Sequence, residues 1–327
     1  MKHYSLSVEQ QKQIILMRSN GIKIAKIADD VGTSVSTVYR FLRTYIEDAS
    51  PSNKETTSSS PATNAHTSYV NSTIKTLLID IETAPAIAYT FGRRKIYLSD
   101  DNIAQEGRIL SVAYKWLHED TIQYVNAPTE EDEPVMLAQV YEVLEAADIV
   151  IGHNIKHFDM PVINSRLAYH SFPPPHAFKI YDTYDMVKRN FKFPSNRLDS
   201  LCKHLDIGAK LEHEGIQLWI SVMNGDAEAW ERFKQYNIQD VRLLEELYLM
   251  LRGYDQKHPN VNPMNATGEQ RCTTCGSLDL KETSNIVYTP VSAFVEYQCN
   301  CCGKRSRARQ TLIGKDNRSS ILANITT

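Results

Sequence analysis

The sequence has no long hydrophobic run, and this absence narrows the classes of protein to which the chain can belong. A membrane-spanning helix needs about 18–20 consecutive apolar residues, whereas apolar stretches here, such as Ala147–Gly152, have only the length of a strand. The N-terminal residues also lack the apolar core and the small-residue cleavage site of a signal peptide. We therefore expect a cytoplasmic protein that does not contact a membrane.

The sequence also lacks a strong excess of either charge, since 36 Lys and Arg residues oppose 39 Asp and Glu residues. The charges are nevertheless unevenly distributed: residues 1–48 and 264–327 are mildly basic, and residues 73–263 hold the acidic excess. Basic ends are typical of nucleic-acid binding, and carboxylates without basic counterparts favour a site for a hard metal ion. Solvated surface charge explains the same distribution, so charge alone leaves both explanations open.

The length and local composition of the chain predict several domains. A chain of 327 residues exceeds one typical domain of about 100–200 residues. One segment is rich in Ser, Thr, Asn and Pro, and such a segment buries too little apolar area to offset the entropy of ordering it. Clustered Pro, Asn and Gly residues after position 258 indicate a second boundary. The predicted organisation is an N-terminal domain (1–48), a flexible linker (49–72), a central domain (73–258), a C-terminal domain (264–312) and a tail (313–327).

The N-terminal domain is predicted to contain three short helices. Ser7 can begin the first helix, Gly32 can end the second, and Ser34 can cap the third. The run from Ile27 to Leu42 resembles the helix-turn-helix of resolvase-like DNA-binding domains. In that arrangement the third helix presents four side chains towards DNA: Ser34, Ser36, Thr37 and Arg40. A three-helix module for protein interaction is the alternative.

Two carboxylates close the first predicted strand of the central domain. Residues 75–83 form an apolar stretch that includes Asp80 and Glu82 near its end. Side chains two residues apart point to the same face of a strand, so these two carboxylates converge. Adjacent carboxylates are unfavourable unless a cation neutralises them, which favours a divalent metal ion. An Asp-x-Glu triplet by itself is weak support because it often arises by chance.

The pattern that follows predicts an α/β domain built on a mixed sheet. Residues 108–117 and 121–127 have the character of two strands joined by a polar turn. Apolar residues at helical spacing predict a helix over 131–147, and a short buried strand is expected at 148–152. A long helix is expected at 226–251. This order predicts a mixed sheet with helices packed against it.

Two further motifs complete a set that resembles a known family. Residues 154–159 have the pattern Asn-x3-Phe-Asp, and Tyr236 precedes Asp240 by four residues, so both lie on one face of the long helix. With Asp80 and Glu82, these motifs resemble those of the DnaQ-like 3′–5′ exonucleases of the DEDD superfamily, in the subgroup whose third motif holds a tyrosine. The resemblance covers approximately residues 73–254 and implies a ribonuclease H-like fold.

The resemblance also implies a chemistry and a set of site residues. It implies hydrolysis of phosphodiester bonds from the 3′ end of nucleic acid, with release of nucleoside monophosphates. Two Mg²⁺ or Mn²⁺ ions, about 3.5–4 Å apart, would be held by four carboxylates: Asp80, Glu82, Asp159 and Asp240. Tyr236 would orient the attacking water, because a phenol with a pKa of about 10 is a poor base at neutral pH. Phe158 could stack on a terminal base and Asn154 could contact the sugar-phosphate; the alternatives are a core phenylalanine and a turn-forming asparagine.

Six cysteines are few for this length, and four of them form two Cys-x2-Cys pairs that are each followed by glycine. The four are Cys272, Cys275, Cys299 and Cys302. Four sulfurs suit one tetrahedral Zn²⁺ ion, and the separation of the pairs fits a β-hairpin zinc ribbon. Disulfides are the competing interpretation, but no export signal supports them. Cys301 adjoins the second pair, although Cys302 fits the spacing better. The cations within residues 304–309 could form a phosphate-contacting edge or a solvated tail.

Together these patterns predict a metal-dependent 3′–5′ exonuclease with a helix-turn-helix domain and a zinc ribbon that help to hold nucleic acid. DNA is favoured over RNA because the helix-turn-helix is typical of DNA-binding proteins. A transposase or integrase is an alternative, but it would need an Asp, Asp, Glu set with the last acid on a late helix. A non-enzymatic DNA-binding regulator is another. A role in proofreading would require a replication or repair protein as partner, because this sequence shows no polymerase module.

Overall fold

Apolar segments of helical and strand periodicity alternate along the chain and form the strands and helices expected for the main sheet, together with short elements that the sequence did not indicate. The computed structural model describes residues 6–19, 24–33, 37–38, 41, 74–92, 96–265 and 268–325. Its helices are α1 (Val8–Ser19), α2 (Ile24–Val31), α3 (Glu133–Ala146), α4 (Asp159–Tyr169), α5 (Thr183–Asn190), α6 (Leu198–His204), α7 (Ile216–Met223), α8 (Ala227–Leu251) and α9 (Lys315–Arg318). Its strands are β1 (Thr76–Thr83), β2 (Ile87–Ala88), β3 (Ile103–Gln105), β4 (Ile109–Trp116), β5 (Gln123–Asn126), β6 (Ile149–Gly152), β7 (Lys179–Asp182), β8 (Leu280–Thr289), β9 (Ser292–Cys299) and β10 (Arg305–Arg307).

The main sheet has five strands in the order β5-β4-β1-β6-β7. Strand β1 pairs antiparallel with β4 and parallel with β6, so the sheet is mixed. Residues Leu77–Ile79 of β1 are buried, which is the pattern of a central strand covered on both faces. The prediction of a mixed α/β sheet with flanking helices is confirmed.

Helices α3 and α4 cover the sheet and form its main hydrophobic core. Each of five elements supplies fully buried side chains, for example Leu77 (β1), Val112 (β4), Val140 (α3), Val150 (β6) and Ile163 (α4). Each such aliphatic side chain contributes about 1.5–3 kcal/mol when it is removed from water. This packing makes the sheet a rigid support for side chains at the strand ends.

The chain divides into two compact units. One unit contains Thr76–Ile180 and Lys210–Arg242 together with the N-terminal helices, and the other contains Tyr181–Ala209 and Leu243–Thr327. This division does not follow the domain limits expected from the sequence, which stay predictions. The linker over 49–72 lies outside the described residues. Within the described ranges, none of the helices combines the length and the apolar character that crossing a membrane requires; the cytoplasmic location stays a prediction.

The N-terminal helices have the expected start and stop signals. The Ser7 hydroxyl accepts a hydrogen bond from the Gln10 amide at 3.2 Å, and the Gln10 side chain accepts one from the Ser7 amide at 2.9 Å. This reciprocal capping box begins α1. Helix α2 ends before Gly32, whose φ of +68° is a conformation that favours glycine. Ile14 and Ile27 are fully buried in the small core between the helices.

The third predicted helix of this domain is described only in part. Thr37, Val38 and Phe41 are helical, Val38 is fully buried, and Thr37 is half-buried. The other three predicted DNA contacts, Ser34, Ser36 and Arg40, lie outside the described residues. The contacts of all four side chains with DNA stay predictions.

The C-terminal part of the chain forms a small antiparallel sheet in the order β10-β9-β8. Strands β8 and β9 form a hairpin in which Thr289 pairs with Ser292 at the turn. Strand β10 pairs with β9 through Arg305–Arg307. This small sheet was expected from the sequence and is confirmed as part of the fold class.

Candidate active site and cysteine cluster

Three carboxylates converge where β1 and α8 meet. One oxygen each of Asp80, Glu82 and Asp240 lies within 4.8 Å of the other two. Asp80 and Glu82 share a face of β1, and Asp240 reaches them from the middle of α8. The pairing of β1 with β4 shifts register just after Glu82, and bulges of this kind are frequent beside active sites. The fold therefore assembles the first and third sequence motifs into one cluster.

The fourth predicted carboxylate, Asp159, lies beside this cluster but not within the group of three. Its Oδ1 atom accepts a hydrogen bond from the Ile81 amide at 3.3 Å, and its side chain is buried. Since Ile81 lies between Asp80 and Glu82, this bond joins the start of α4 to the acidic end of β1. The negative charge of Asp159 also contributes to the raised pKa of Asp80.

Burial and mutual repulsion raise the pKa values of Asp80 and Glu82 in this cluster. Burial, followed by the charge of Asp240, raises the pKa of Asp80 well above its usual range. The same two causes raise the pKa of Glu82 to about 8. Such a group takes up protons at neutral pH unless positive charge is supplied. The donors are all carboxylate oxygens, which are the ligands that Mg²⁺ and Mn²⁺ prefer, so the cluster fits hard divalent ions.

Two buried polar residues that the sequence did not indicate hold Asp80 in place. The Asn237 side-chain amide donates to Asp80 Oδ2 at 2.7 Å, and the Ser111 hydroxyl donates to Asn237 Oδ1 at 3.0 Å. Both Asn237 and Ser111 are fully buried. The chain Ser111–Asn237–Asp80 therefore fixes the carboxylate across β4, α8 and β1. A polar residue in an otherwise apolar pattern was the only sequence signal for either one.

Tyr236 lies one helical turn before Asp240 and is held rigidly. Its ring contacts the rings of His213 and Trp219, with centroids 4.9 and 6.0 Å away. The side chain is buried, and burial together with the charge of Asp240 raises the pKa of Tyr236 to about 12. The hydroxyl therefore keeps its proton at neutral pH and acts as a hydrogen-bonding group rather than as a base.

Lys210 is a further site residue that sequence reasoning missed. Its ammonium group contacts the Asp240 carboxylate and donates to the Tyr236 hydroxyl at 3.1 Å. Burial acts to lower the pKa of Lys210, but the charges of Asp240 and Tyr236 and the hydrogen bond with Asp240 together raise it. Its positive charge in turn lowers the pKa values of Asp80 and Glu82. No local pattern distinguished this lysine from those on the surface.

The second motif forms the turn that precedes α4. Asn154 has a φ of +69°, and its carbonyl accepts hydrogen bonds from the amides of His157 and Phe158 at 3.1 and 3.0 Å. Phe158 is 43% exposed, so the interpretation of Phe158 as a core residue is wrong. An exposed ring directly before Asp159 is available for stacking. The contact of Asn154 with a sugar-phosphate stays a prediction.

The four paired cysteines form a second candidate metal site. Their sulfurs lie within 4.8 Å of one another, with Cys272 and Cys302 3.5 Å apart and Cys275 and Cys299 3.6 Å apart. Cys301 is exposed and lies outside this group. A hydrogen bond with Cys275 lowers the pKa of Cys272, and the same bond raises the pKa of Cys275. A set of four sulfurs at this spacing fits tetrahedral Zn²⁺.

Each cysteine pair forms a knuckle that turns at a glycine. Gly276 and Gly303 have φ values of +72° and +73°. Their amides donate to the carbonyls of Cys272 and Cys299 at 3.0 and 2.9 Å, so the two knuckles repeat the same turn. The left-handed conformation that closes each turn is one that glycine adopts without strain.

The second knuckle packs against the segment that follows α8. A Cβ atom at Gly253 would lie 2.1 Å from the carbonyl oxygen of Cys302, so only glycine permits this approach. Lys304 is buried and donates to the Asp255 carbonyl at 2.6 Å and to the Gln256 side chain at 2.9 Å. The cysteine cluster is therefore joined to the segment that follows α8, within the same compact unit.

In the basic run after the knuckle, Arg305, Arg307 and Arg309 are exposed at alternate positions, so the phosphate-contacting edge stays a prediction. Lys304 is buried, as described above, and Arg305 forms an ion pair with Glu296 at 2.7 Å. Arg307 lies over the ring of Phe294 at 3.9 Å. These three cations interact within the protein because the strand folds back onto β9, which a local charge pattern does not reveal.

Two models of known protein families match parts of this chain. Residues 102–252 match a family model described as the RNase_H superfamily, and residues 4–44 match one described as the helix-turn-helix domain of resolvase. The first match begins after β1 and includes the second and third motifs. The chain thus has a ribonuclease H superfamily domain and a resolvase-like helix-turn-helix, which indicate nucleic-acid binding and nuclease activity in general.

Comparison with whole proteins is less informative. The chain is similar to the family B DNA polymerase from the hyperthermophilic archaeon Pyrobaculum calidifontis, with 14% identity and a TM-score of 0.42. The similarity covers 59% of this chain and 27% of the polymerase, so the chain spans about a quarter of that protein's length. Similarity at this level indicates nothing about activity. No curated protein matches the chain at a significant level.

Proposed function

We propose that the protein is a metal-dependent 3′–5′ exonuclease of the tyrosine subgroup of the DnaQ-like enzymes, with DNA favoured over RNA as substrate. The main support is the meeting of Asp80, Glu82 and Asp240 in one cluster, with Tyr236 one turn before Asp240. These side chains come from two distant elements, and a structural role does not require them to share a site. The general nuclease assignment of the superfamily agrees with this chemistry.

The metal ligands in this proposal are the clustered carboxylates. Asp80, Glu82 and Asp240, with Asp159 beside them, would hold two Mg²⁺ or Mn²⁺ ions. Such ions, when bound, supply the positive charge that lowers the pKa of an attacking water and that stabilises the leaving 3′ oxygen. The raised pKa of Glu82 is the physical sign that the cluster requires this charge.

The chain's own residues position the reacting groups. Asn237 and Ser111 fix Asp80, and the rings of His213 and Trp219 fix Tyr236, whose protonated hydroxyl orients the attacking water. The water oxygen loses a proton and forms a bond to phosphorus, the bond from phosphorus to the 3′ oxygen breaks, and the leaving 3′ oxygen takes up a proton. The products are a nucleoside monophosphate and a strand shorter by one nucleotide.

The helix-turn-helix and the cysteine ribbon would help to retain nucleic acid. A weak DNA-binding domain joined by a linker raises the effective concentration of the catalytic domain near its substrate. The four clustered cysteines would bind one structural Zn²⁺ ion. In this proposal the ribbon packs against the segment after α8 through Gly253 and Lys304.

The activity is tested with 5′-labelled single-stranded DNA and RNA of matched sequence in the presence of Mg²⁺ or Mn²⁺. The wild-type protein should give a ladder that shortens from the 3′ end, and the faster substrate identifies its class. D80N and D240N should each lower the rate at least about 100-fold, since the lost metal charge is worth several kcal/mol. D120N is the matched control, because Asp120 is an exposed carboxylate in the turn between β4 and β5.

Two results would contradict this proposal. Shortening from the 5′ end or internal cutting would exclude the 3′–5′ polarity. Failure to cut either substrate while DNA binding persists would favour a DNA-binding regulator built on a nuclease fold.

The zinc site is tested with two neighbouring cysteines. C302S should lose bound zinc, measured by elemental analysis of the purified protein, and should lower the melting temperature. C301S is the matched control and should retain one zinc per chain, because Cys301 lies outside the cluster. Equal zinc content in the two variants would contradict the assignment.

A further inference from the structure

A short segment before α7 lies along the part of α8 that bears Tyr236. Residues 210–215 form neither helix nor strand, and they belong to the same compact unit as Tyr236. At one end of the segment, the Lys210 ammonium group donates to the Tyr236 hydroxyl at 3.1 Å. At the other end, the Glu214 carboxylate pairs with Arg232, one helical turn before Tyr236, at 3.8 Å. Both ends of the segment are therefore joined to the helix that supplies the site tyrosine.

His213, in the middle of this segment, has a ring whose orientation is fixed by three contacts. The ring packs edge-on against the rings of Tyr236 and Trp219, with centroids 4.9 and 5.2 Å away. The Gly215 amide donates to His213 Nδ1 at 3.0 Å. A backbone amide can only donate, so Nδ1 is the acceptor, and in the neutral imidazole this bond assigns the proton to Nε2. Nε2 is therefore a hydrogen-bond donor.

The Nε2 donor of His213 is not used by the fold. Within the ranges of the chain that the structure describes, Nε2 has no hydrogen-bond partner, and His213 is exposed. Both ring nitrogens of His258, in contrast, form hydrogen bonds, with the Tyr248 hydroxyl and the Pro259 carbonyl. His258 thus serves the fold with both nitrogens. A ring that is held by packing while one donor stays accessible is the arrangement that a binding residue requires.

The position of this donor favours a phosphate oxygen as its acceptor. His213 contacts Tyr236, which reaches the carboxylate cluster through the contact of Lys210 with Asp240. In the proposed reaction Tyr236 orients the water that attacks the phosphorus of the terminal nucleotide, so this phosphate lies beside Tyr236. The carboxylates supply no donor to its oxygens, whereas an imidazole N–H supplies one. Hydrogen bonds from side-chain N–H groups to phosphate are common, and the charge of the phosphate strengthens them.

We propose that His213 is a substrate-binding residue whose Nε2 donates a hydrogen bond to a non-bridging oxygen of the phosphate at which water attacks. This inference rests on the proposed exonuclease function for the identity of that phosphate, but the binding itself does not depend on turnover. The packing against Tyr236 and the bond from the Gly215 amide orient the donor. The test therefore has to separate the donor from the packing and from the acceptor of the same ring.

Three substitutions of His213 make this separation. H213Q keeps an amide N–H near the position of Nε2, H213N keeps an oxygen that can accept from the Gly215 amide, and H213F keeps the ring that packs on Tyr236. The shortening of 5′-labelled single-stranded DNA with Mg²⁺ gives kcat/KM for each full-length variant. H213N and H213F should lower kcat/KM about 10–100-fold, which is typical for loss of a hydrogen bond to a charged group. H213Q should retain most of the wild-type value.

A second measurement uses the reaction product, so that it does not need turnover. Thymidine 5′-monophosphate carries the phosphate that His213 would contact, and thymidine lacks it. Ligand-observed NMR in the presence of Mg²⁺ measures the binding of both. H213N and H213F should weaken binding of the monophosphate about 10-fold or more and leave binding of thymidine unchanged.

The matched control is an exposed histidine that also packs on an aromatic ring. His176 lies in the same compact unit, and its ring centroid is 6.0 Å from that of Phe178. H176F should leave both kcat/KM and binding of the monophosphate unchanged.

Each outcome bears on this proposal separately from the proposed function. Activity that is kept in H213F and lost in H213Q would show that ring packing alone matters, and would overturn the phosphate contact even if a 3′ ladder forms. Equal values in all three variants, or an equal loss in H176F, would also overturn it. Phosphate-dependent binding that is lost in H213N and H213F and kept in H213Q supports the contact, even if no strand is cleaved and the exonuclease proposal fails.

Discussion

The buried Glu133 and the carboxylates at the end of β1 lie in the same compact unit but have opposite electrostatic surroundings. Glu133, at the start of α3, is fully buried and accepts hydrogen bonds from the Ile109 amide at 3.0 Å and the Arg166 Nε at 2.9 Å. Arg166 and His170 also contact its other oxygen at 2.5 and 3.0 Å. Burial acts to raise the pKa of Glu133, but the hydrogen bonds from His170 and Arg166 outweigh it and lower the pKa to about 2.

For the carboxylates at the end of β1, burial and repulsion raise the pKa values more than neighbouring positive charge lowers them. They crowd one another, Lys210 supplies one positive charge, and the pKa of Glu82 is still raised to about 8. Glu133 is neutralised by its own chain and so serves the fold. The carboxylates at the end of β1 have too few neighbouring positive charges to balance their own. This arrangement destabilises the fold, so folding alone does not explain it. The difference shows how a structural acid and a candidate catalytic acid can be distinguished by the charges that surround them.

The largest expected effect concerns the structural acid. E133A should lower the free energy of unfolding by about 2–4 kcal/mol, because it leaves the half-buried Arg166 charge and the buried Ile109 amide without their partner. Urea denaturation of the wild type and the variant measures this loss. E142A is the matched control: Glu142 lies exposed on the same helix, and its removal should change stability by less than about 0.5 kcal/mol. Equal effects of the two variants would contradict the structural role of Glu133.

The second expected effect is a fall in stability of the metal-free protein as pH rises. Between pH 4.5 and about 8, folded Glu82 binds a proton that the unfolded chain has released. The free energy of unfolding should therefore decrease across this window, by at most about 1.4 kcal/mol per pH unit from this group. Glu133 acts in the other direction and at lower pH: its contribution is present above pH 4.5 and is lost as pH falls towards 2.

Melting temperatures measured from pH 5 to pH 8, with and without Mn²⁺, check this prediction. Mn²⁺ should restore stability most strongly at pH 8, because the largest fraction of the carboxylates is ionised there. E82Q should flatten the pH dependence of the metal-free protein. A metal-free protein whose stability rises steadily over this range would show that the cluster is not short of positive charge.

The third expected effect concerns the hydrogen bonds that position Asp80. N237A should lower the rate of strand shortening about 10–100-fold, which is typical when a residue that orients a metal ligand is lost. The Mn²⁺ concentration needed for half-maximal activity should rise, because a ligand that is no longer held in place binds the ion less well. S111A should have a smaller effect in the same direction. An unchanged metal requirement in both variants would indicate that Asp80 needs no such support.

The sequence predicted which carboxylates and which tyrosine share a face of one strand or helix. It did not predict the contacts between residues that are distant in sequence. The convergence of Asp80 and Glu82 follows from the two-residue period of a strand, and Tyr236 and Asp240 follow from the period of a helix. Glu133 resembles any acidic residue in the first turn of a helix, and its partners lie more than twenty residues away. Local periodicity cannot identify such a contact, which depends on how the helices pack.

The hairpin of β2 and β3 was missed for a different reason. Its strands are only two and three residues long, so they show no alternation that could be recognised. Their pairing depends on the anchoring of Ala84 beside β4 and on the turn residues Ser99 and Asn102. The exposure of the Tyr89, Phe91 and Tyr97 rings between β2 and β3 is likewise a property of the folded chain. Sequence alone could not separate them from core aromatics.

The smallest expected effect is also the sharpest test of the balance within the cluster. Lys210 lowers the pKa values of Asp80 and Glu82 and contacts Asp240, so it partly replaces the missing positive charge. K210M should steepen the loss of stability with pH in the metal-free protein and should leave the metal-bound protein nearly unchanged in stability. The midpoint of the pH dependence should rise by less than about one unit, since the lysine is partly exposed and water weakens its effect. A fall in this midpoint would mean that Lys210 competes with the carboxylates for solvation instead of compensating their charge. The comparison with Glu133 would then rest on burial alone.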